Sequence, residues 1–233
     1  MSKKFWSMVG AVVLALHAGG ALAVVTPLWD NGGPGASALG GSGMSDTNQA
    51  QDFTLGFTSD LTAVRFWNLQ ASANDYAGSI FYQIVNDASG APGSTVYGSG
   101  TATPTRVGAG TVLGLSQFQN DFSIAVSGLL AGTYWIELHN GALNVFDAII
   151  PADFYWSWAD LGGVNTLSTR GQEDYLPESV GWTTNGSEHA FAIFGDRVIQ
   201  PPPPPPPGIP EPATLALTGV ALSFLAMRRR RWL

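Results

Sequence analysis

The 233-residue sequence contains no cysteine, and its central part contains no lysine. Without cysteine no disulfide can support the fold, so stability must come from the packing of aromatic and β-branched side chains. Between Val24 and Gln200, four arginines stand against sixteen acidic residues, which gives a formal charge of −12. A surface this acidic argues against nucleic acid or anionic lipid as a partner.

Catalytic motifs are missing as well, since the sequence has neither a G-x-S-x-G elbow nor an H-E-x-x-H pair. His139 and His189 each stand beside a predicted strand and outside any known metal or nucleophile motif. Glu173, Asp174 and Glu178 could supply the paired carboxylates of a glycoside hydrolase, although a charged run is more typical of a solvated loop. We therefore expect no enzymatic activity, with a glycoside hydrolase as the less favoured alternative.

Sustained helical periodicity is absent from residues 24–200, and short apolar or alternating runs separated by Gly, Asn and Asp take its place. About ten runs have this character. They are Gln51–Phe57, Leu61–Trp67, Ser79–Val85, Thr95–Ala102, Val112–Phe118, Asp121–Val126, Thr133–Leu138, Val145–Ile149, Phe154–Trp158 and Ala190–Phe194. The pattern predicts an all-β fold, a single antiparallel β-sandwich of the jelly-roll type.

Residues 1–23 have the three parts of a secretory signal peptide, which we expect to be helical. Lys3 and Lys4 form a positive start, Met8–Leu16 is apolar, and Ala21 and Ala23 form a small-x-small cleavage pattern. We expect export through the Sec translocon and cleavage by signal peptidase after Ala23, so that residues 24–200 form the working domain.

A stiff spacer follows that domain in residues 201–208. Its seven prolines, Pro201–Pro207, favour a polyproline II helix about 22 Å long. The spacer would hold the domain away from whatever follows it in the chain.

Residues 209–233 have the character of a short membrane tail. Ala213–Met227 carries no charge and would form a helix of about 22 Å, shorter than a full membrane span. Four basic residues follow it, Arg228, Arg229, Arg230 and Arg231. Positive flanks stay on the cytoplasmic side, so the tail predicts a short transmembrane helix with the domain on the opposite side of the membrane.

The tail resembles the PEP-CTERM sorting signal of Gram-negative bacteria. Pro210, Glu211 and Pro212 precede the apolar run, and the arginine cluster closes it, in the order that the signal has. The resemblance implies an exosortase as the partner that cuts near the motif. It also implies an inner-membrane-anchored precursor that faces the periplasm, and a product at the cell surface or in the extracellular matrix, associated with exopolysaccharide.

The domain itself resembles β-sandwich domains that often precede this signal. The elements that carry the resemblance are Gln51-Asp52-Phe53, the loop Gly90–Gly93, Ala131–Trp135 and Ala190–Gly195. They are scaffold positions, so the resemblance implies a fold and no activity.

Calcium is the one cofactor that the sequence suggests, because oxygen-bearing side chains and glycines recur near the start of the domain. The candidate ligands are Asp30, Asn31, Asp46, Asn48 and Asp52. Two of these candidates belong to Asp30-Asn31-Gly32-Gly33, a pattern that is also typical of an ordinary turn.

Tryptophans suggest a surface for polysaccharide. Trp182 lies in a Gly- and Thr-rich loop and is the best candidate for an exposed stacking contact, together with Tyr175 and Tyr155. Trp156 and Trp158 share one face of a predicted strand, and we expect that face to be core. The sequence thus predicts an exported, non-catalytic surface or matrix protein associated with polysaccharide; the alternative is a lectin-like module stabilised by calcium.

Overall fold

The computed structural model describes residues 26–35, 39–143, 153–160, 171–175 and 181–199. Within these ranges no helix is long and apolar enough to cross a membrane. A boundary between two units of the chain falls after Val198. Several predicted features lie outside the described residues: the signal peptide with Ala21 and Ala23, the strand Val145–Ile149, Glu178, the proline spacer, the Pro210–Pro212 motif, the membrane helix and Arg228–Arg231.

Thirteen strands and one short 3-10 turn, Ala73–Asp75, make up the described part. The first six strands are β1 Trp29–Asp30, β2 Gly41–Gly43, β3 Thr47–Leu55, β4 Ser59–Gln70, β5 Ile80–Asp87 and β6 Pro92–Ala102. The others are β7 Thr105–Val112, β8 Leu115–Leu129, β9 Gly132–Asn140, β10 Phe154–Ser157, β11 Gln172–Tyr175, β12 Thr183–Thr184 and β13 Phe191–Arg197. All pairings between these strands are antiparallel, and the all-β prediction is confirmed for the described residues.

The strands form two sheets. In the first sheet β4 is central, with β8 along one side and β13 and β10 sharing the other. β1 pairs with β13, β2 with β10, and β7 with β8. The second sheet has the order β12-β11-β3-β9-β5-β6.

Strand alternation fills the space between the two sheets with apolar side chains. Phe53 of β3 and Ile136 of β9 point inward from the second sheet, and Phe66 of β4 and Phe191 of β13 point inward from the first. Trp156 is fully buried among them, with its ring edge-on to Phe66 at 6.3 Å between centroids. The expectation that its face is core is confirmed for Trp156, whereas Trp158 follows the end of β10 and is half-buried.

One predicted strand is wrong. The run Val112–Phe118 spans a two-residue turn, Leu113–Gly114, in which both residues have positive φ, 51° and 83°. Such a turn joins two antiparallel strands with the twist that a hairpin needs, but Leu is an unusual residue for it. The prediction therefore missed β7 and divided β8 into two pieces.

Four short strands were also missed, β1, β2, β11 and β12. Each has two to four residues, and β2 has the sequence Gly-Ser-Gly. Runs this short carry no readable period, so only pairing with a neighbour makes them strands.

Candidate functional site

The outer face of the second sheet carries acidic and polar side chains that the sequence did not show to be neighbours. On β3 the odd residues point into the core, so Asn48, Ala50 and Asp52 point outward. The ladder pairs Ala50 with Glu137 of β9 on one side, and Asn48 with Asp174 of β11 on the other. Residues that are paired across a ladder share a face, so the two carboxylates flank β3 on this outer face.

Glu137 is the most strongly perturbed acid of this face. It is almost fully buried, and Nδ2 of Asn48 donates a hydrogen bond of 3.0 Å to its Oε2. Burial raises the pKa of Glu137 to about 7; the Asn48 hydrogen bond opposes this rise, and the charge of Asp174 adds to it. A carboxyl group with this pKa can exchange a proton near neutral pH.

Asp174 is buried and accepts a hydrogen bond of 3.2 Å from the backbone N–H of Gly181. The bond ties β11 to the segment that carries Trp182. Sequence reasoning grouped Asp174 with Glu173, but the two side chains point to opposite faces of β11. Glu173 lies instead beside the amide of Gln49, at 3.4 Å.

His139 lies two residues beyond Glu137 on the same outer face and is fully buried. Burial lowers its pKa, and nearby backbone carbonyls and the charge of Asp46 oppose that shift. Its Nδ1 lies 3.5 Å from the carbonyl oxygen of Gly141, at the limit of a hydrogen bond. Among the described residues, its Nε2 has no hydrogen-bond partner.

An apolar patch continues this face beside the polar residues. Ala50, Val85 and Trp135 are fully buried there, and Trp182 packs against them while remaining half-exposed. The indole N–H of Trp135 donates to Oδ1 of Asp87 at 2.8 Å. Trp182, the predicted stacking contact, is therefore anchored on the sheet and presents part of its ring to solvent.

The two tyrosines predicted with Trp182 are placed differently. Tyr155 lies on β10 of the first sheet, between the inward-pointing Phe154 and Trp156, so it points away from the core. Its hydroxyl donates to Asp153 at 2.8 Å, and this bond is the main reason that the pKa of Tyr155 is raised. The structure does not bring Tyr155 to Trp182, because the outer faces of the two sheets point in opposite directions. Tyr175 pairs with Thr47 in the β11–β3 ladder, and only its backbone is described.

The predicted calcium ligands at the start of the domain have separate environments. Asp30 is exposed, and its carboxylate accepts the N–H of Gly32 at 2.9 Å, as in an ordinary Asx turn. Asn31 is buried, and its Nδ2 donates to the carbonyl of His189 at 2.8 Å and approaches Glu188 at 3.4 Å.

The remaining three candidate ligands lie on or beside β3. Asp46 is exposed, Asn48 is bonded to Glu137, and Asp52 accepts a hydrogen bond of 3.0 Å from Gln51. In the described ranges, no three His, Asp or Glu side chains converge closely enough to hold a metal ion. Calcium binding stays a prediction, which a comparison of the melting temperature in calcium and in chelator would check.

A second polar cluster surrounds His189 inside the sandwich. Burial alone lowers the pKa of His189 to about 3, so the ring is neutral at physiological pH. Nδ1 lies 3.0 Å from Oε1 of Gln51, and Nε2 lies 2.9 Å from the hydroxyl of Ser42. Because a carbonyl oxygen only accepts, Nδ1 donates to Gln51 and Nε2 accepts from Ser42. The ring stacks on Trp156 at 4.6 Å between centroids.

The Ser42–His189 distance is that of a nucleophile and its base, and sequence reasoning did not single out this pair. The amide of Gln51 takes the position that a carboxylate holds in a catalytic triad, so the group bonded to Nδ1 carries no negative charge to stabilise an imidazolium. The hydroxyl of Ser42 is also held by the indole N–H of Trp158 at 3.2 Å. We assign the cluster to the stability of the fold, since its histidine is buried beneath a tryptophan.

Comparison with known proteins does not assign the chain to a family. No family model matches the chain, and no curated protein matches it significantly.

Proposed function

We propose that this chain is an exported protein of the cell surface or extracellular matrix of a Gram-negative bacterium, sorted by an exosortase and associated with exopolysaccharide. In this proposal residues 24–200 form a displayed, jelly-roll-like scaffold without catalytic activity. The one observation that carries the proposal is the order of three parts in residues 209–233: Pro210-Glu211-Pro212, an uncharged run, and four arginines.

Hydrogen bonds inside the described domain support a scaffold role. Two of its buried titratable groups are engaged in hydrogen bonds within the fold: Glu137 with Asn48, and His189 with Gln51 and Ser42. Such networks fix strand register and give a unique core. A displayed domain without disulfides needs this kind of stabilisation.

Analysis of the mature ends of the protein tests the proposal. Protein recovered from exosortase-containing cells should start at Val24 and end close to Pro212, as seen by intact mass and terminal peptides. Glu211→Ala should leave the precursor uncut, while Asp196→Ala, on the described domain, should have no effect on processing. Arg231 retained on most wild-type molecules would mean a permanent membrane anchor and would contradict sorting by cleavage.

A lectin-like module is the second candidate function, and one observation favours it. Trp182 is half-buried beside a face that carries Asp52, which is half-buried as well, so an indole and an accessible carboxylate occur on the same face. Glycan-array binding of the full chain decides between the two candidates. Binding to a defined class of glycan would favour the lectin; the absence of any specific signal would favour an inert matrix scaffold.

A further inference from the structure

Two consecutive strands leave one side of the sandwich with open edges. Among the described strands, β6 pairs only with β5, and β7 pairs only with β8. Thr103 and Pro104 join the two strands, so the chain passes from the edge of the second sheet directly to the edge of the first. An unpaired edge presents a row of backbone N–H and C=O groups to any strand that approaches it.

β7 carries only part of the usual protection of an edge strand. Proteins commonly protect edges with lysine, with proline, with β-bulges or with inward-pointing charged side chains. β7 contains neither lysine nor proline, and its pairing with β8 has a bulge between Gly108 and Gly110. The one charged residue of β7, Arg106, is turned inward, where its Nε donates to Asn120 at 3.0 Å. Its guanidinium lies over the rings of Tyr76 and Phe118, at 4.1 and 4.4 Å from their centroids.

The tip of the β7–β8 hairpin is also sterically open. Nothing lies within 4 Å of where a Cβ would stand on Gly108, Gly110 or Gly114. β6, by contrast, packs closely over β8, because a Cβ on Gly98 would lie 2.5 Å from Val126. The faces of β7 are therefore open at Gly108 and Gly110, whereas the face of β6 is covered at Gly98.

Charge distinguishes this side from the rest of the domain. Residues 88–120 contain no acidic residue, although residues 24–200 carry a formal charge of −12. Two acidic copies of the domain repel each other, and the repulsion is weaker where this stretch faces itself. The acid in register with β7, Asp121 opposite Thr105, is paired with Arg65.

Several exposed apolar side chains belong to the same stretch of chain. Seven large hydrophobic residues of the described part are exposed, and four of them belong to residues 88–120: Val96, Tyr97, Val107 and Leu113. A fifth is Leu130, whose backbone carbonyl accepts a hydrogen bond from the hydroxyl of Tyr134. The ring of Tyr134 in turn contacts the ring of Tyr97. Val107 on β7 and Leu113 at the adjoining turn are exposed next to the open edge, and such side chains favour contact with protein rather than with water.

We propose that β7 is a docking edge for a second copy of this chain. An antiparallel strand edge is complementary to itself about a two-fold axis, so two copies of Thr105–Val112 can pair and continue the first sheet across both molecules. The small or uncharged residues Val107, Ala109 and Thr111 allow the two backbones to approach. This dimer depends on the domain alone and stands independently of the tail.

The test uses the full-length chain in analytical ultracentrifugation, from about 1 µM to about 1 mM. We expect a monomer–dimer equilibrium that salt strengthens, because salt screens the repulsion between two acidic domains. Hydrogen exchange at the amides of Thr105–Val112 should slow as the dimer forms. A chain that stays monomeric throughout this range overturns the proposal.

Two variants locate the contact. Val107→Glu places two like charges close together at the paired edge and should weaken association at least tenfold. Leu39→Glu makes a comparable change at an exposed residue outside β6 and β7 and should leave association unchanged. Thr111→Glu is a second variant on β7, to be used if circular dichroism shows that Val107→Glu disturbs the fold. A dimer that resists both β7 variants, or one whose exchange protection falls elsewhere, overturns the proposal.

Discussion

Asn48 and Glu137 meet on neighbouring strands of the second sheet, where Nδ2 of the amide donates to Oε2 of the carboxyl at 3.0 Å. Glu137 belongs to a strand that the sequence predicts, whereas Asn48 precedes the predicted strand Gln51–Phe57, and the two residues are 89 positions apart in the chain. Burial at this position raises the pKa of Glu137 to about 7, and the hydrogen bond from Asn48 opposes part of that rise.

Because of this pKa shift, we expect the free energy of unfolding to fall as the pH rises from about 4.5 to about 7. Over that window the unfolded chain loses the Glu137 proton while the folded chain keeps it, so unfolding is increasingly favoured as the pH rises. Glu137→Gln keeps an acceptor for Asn48 and removes the ionisation. At pH 7.5 we expect it to raise the free energy of unfolding by about 2–3 kcal/mol, measured by denaturant titration.

The control for this variant is Asp196→Asn, which also removes one negative charge but at an exposed residue. It should change the free energy of unfolding by less than about 0.5 kcal/mol. Equal stabilisation by both variants would indicate a general charge effect and would contradict the role of Glu137.

For His189 we expect the stability of the fold to depend on pH in the opposite direction. Its pKa falls from 6.5 to about 3 on burial, so the unfolded chain takes up a proton below pH 6.5 and the folded chain does not. This residue stabilises the fold fully above pH 6.5, and its contribution is lost as the pH falls toward 3. His189→Gln should cost about 2–4 kcal/mol at pH 7, because it disturbs the packing against Trp156 and the bonds to Gln51.

The same variant should also flatten the loss of stability between pH 6.5 and pH 4, as measured by melting temperature. Phe191→Leu, a substitution in the adjacent core, should destabilise the protein without changing that slope. If His189→Gln leaves the slope as steep as in the wild type, another group causes the acid sensitivity.

The β7–β8 turn contains a residue with an unfavourable backbone conformation. Leu113 has φ of 51° and is 69% exposed, so its side chain contributes little burial to offset the strain. Leu113→Asn creates the Asn-Gly pair that this turn type prefers and should stabilise the protein by about 0.5–1 kcal/mol in thermal unfolding. Leu115→Asn, two residues along on β8, should give no such gain, and a matching gain there would argue against a conformational cause.

Substitutions at Trp182 can separate the effect of this side chain on polysaccharide binding from its effect on stability. Trp182→Ala should reduce retention of the protein on the cell's own exopolysaccharide if the half-exposed ring stacks on sugars. It should also cost about 1–2 kcal/mol, because the partly buried ring packs against Ala50, Val85 and Trp135. Trp182→Phe should restore most of the stability, which allows retention to be judged in a well-folded protein. Tyr155→Ala, on the outer face of the other sheet, serves as the matched control, and unaltered retention in Trp182→Ala would exclude this ring from glycan binding.

Much of the fold could be predicted, because a long strand between two environments shows its period directly. Gln51–Phe57, Leu61–Trp67 and Thr133–Leu138 each fall largely within an observed strand. The hairpin between β7 and β8 could not be predicted in the same way. Its turn has Leu where Asn or Gly is usual, and β7 is rich in glycine, so neither composition nor period marked a boundary.

The candidate site could be predicted much less well. Asp174 was noticed as part of an acidic run, and Asn48 as a possible ligand, but nothing local connected either of them with Glu137. Strand register makes that connection, and register depends on which faces of distant strands are buried together. The same physics separated Tyr155 from Trp182, which the sequence alone could not do.

By itself, the sequence determined the properties that follow from composition and local pattern: an acidic domain without cysteine, a β-rich period, and end segments with the character of export and sorting signals. Only the tertiary structure decided which polar groups are buried together and which strand edges remain open. The physical reason is that burial and pairing are properties of surfaces in contact, and those surfaces here come from residues many positions apart. Local chemistry can predict a strand, but the environment of Glu137, His189 or the edge of β7 exists only once the sheets have assembled.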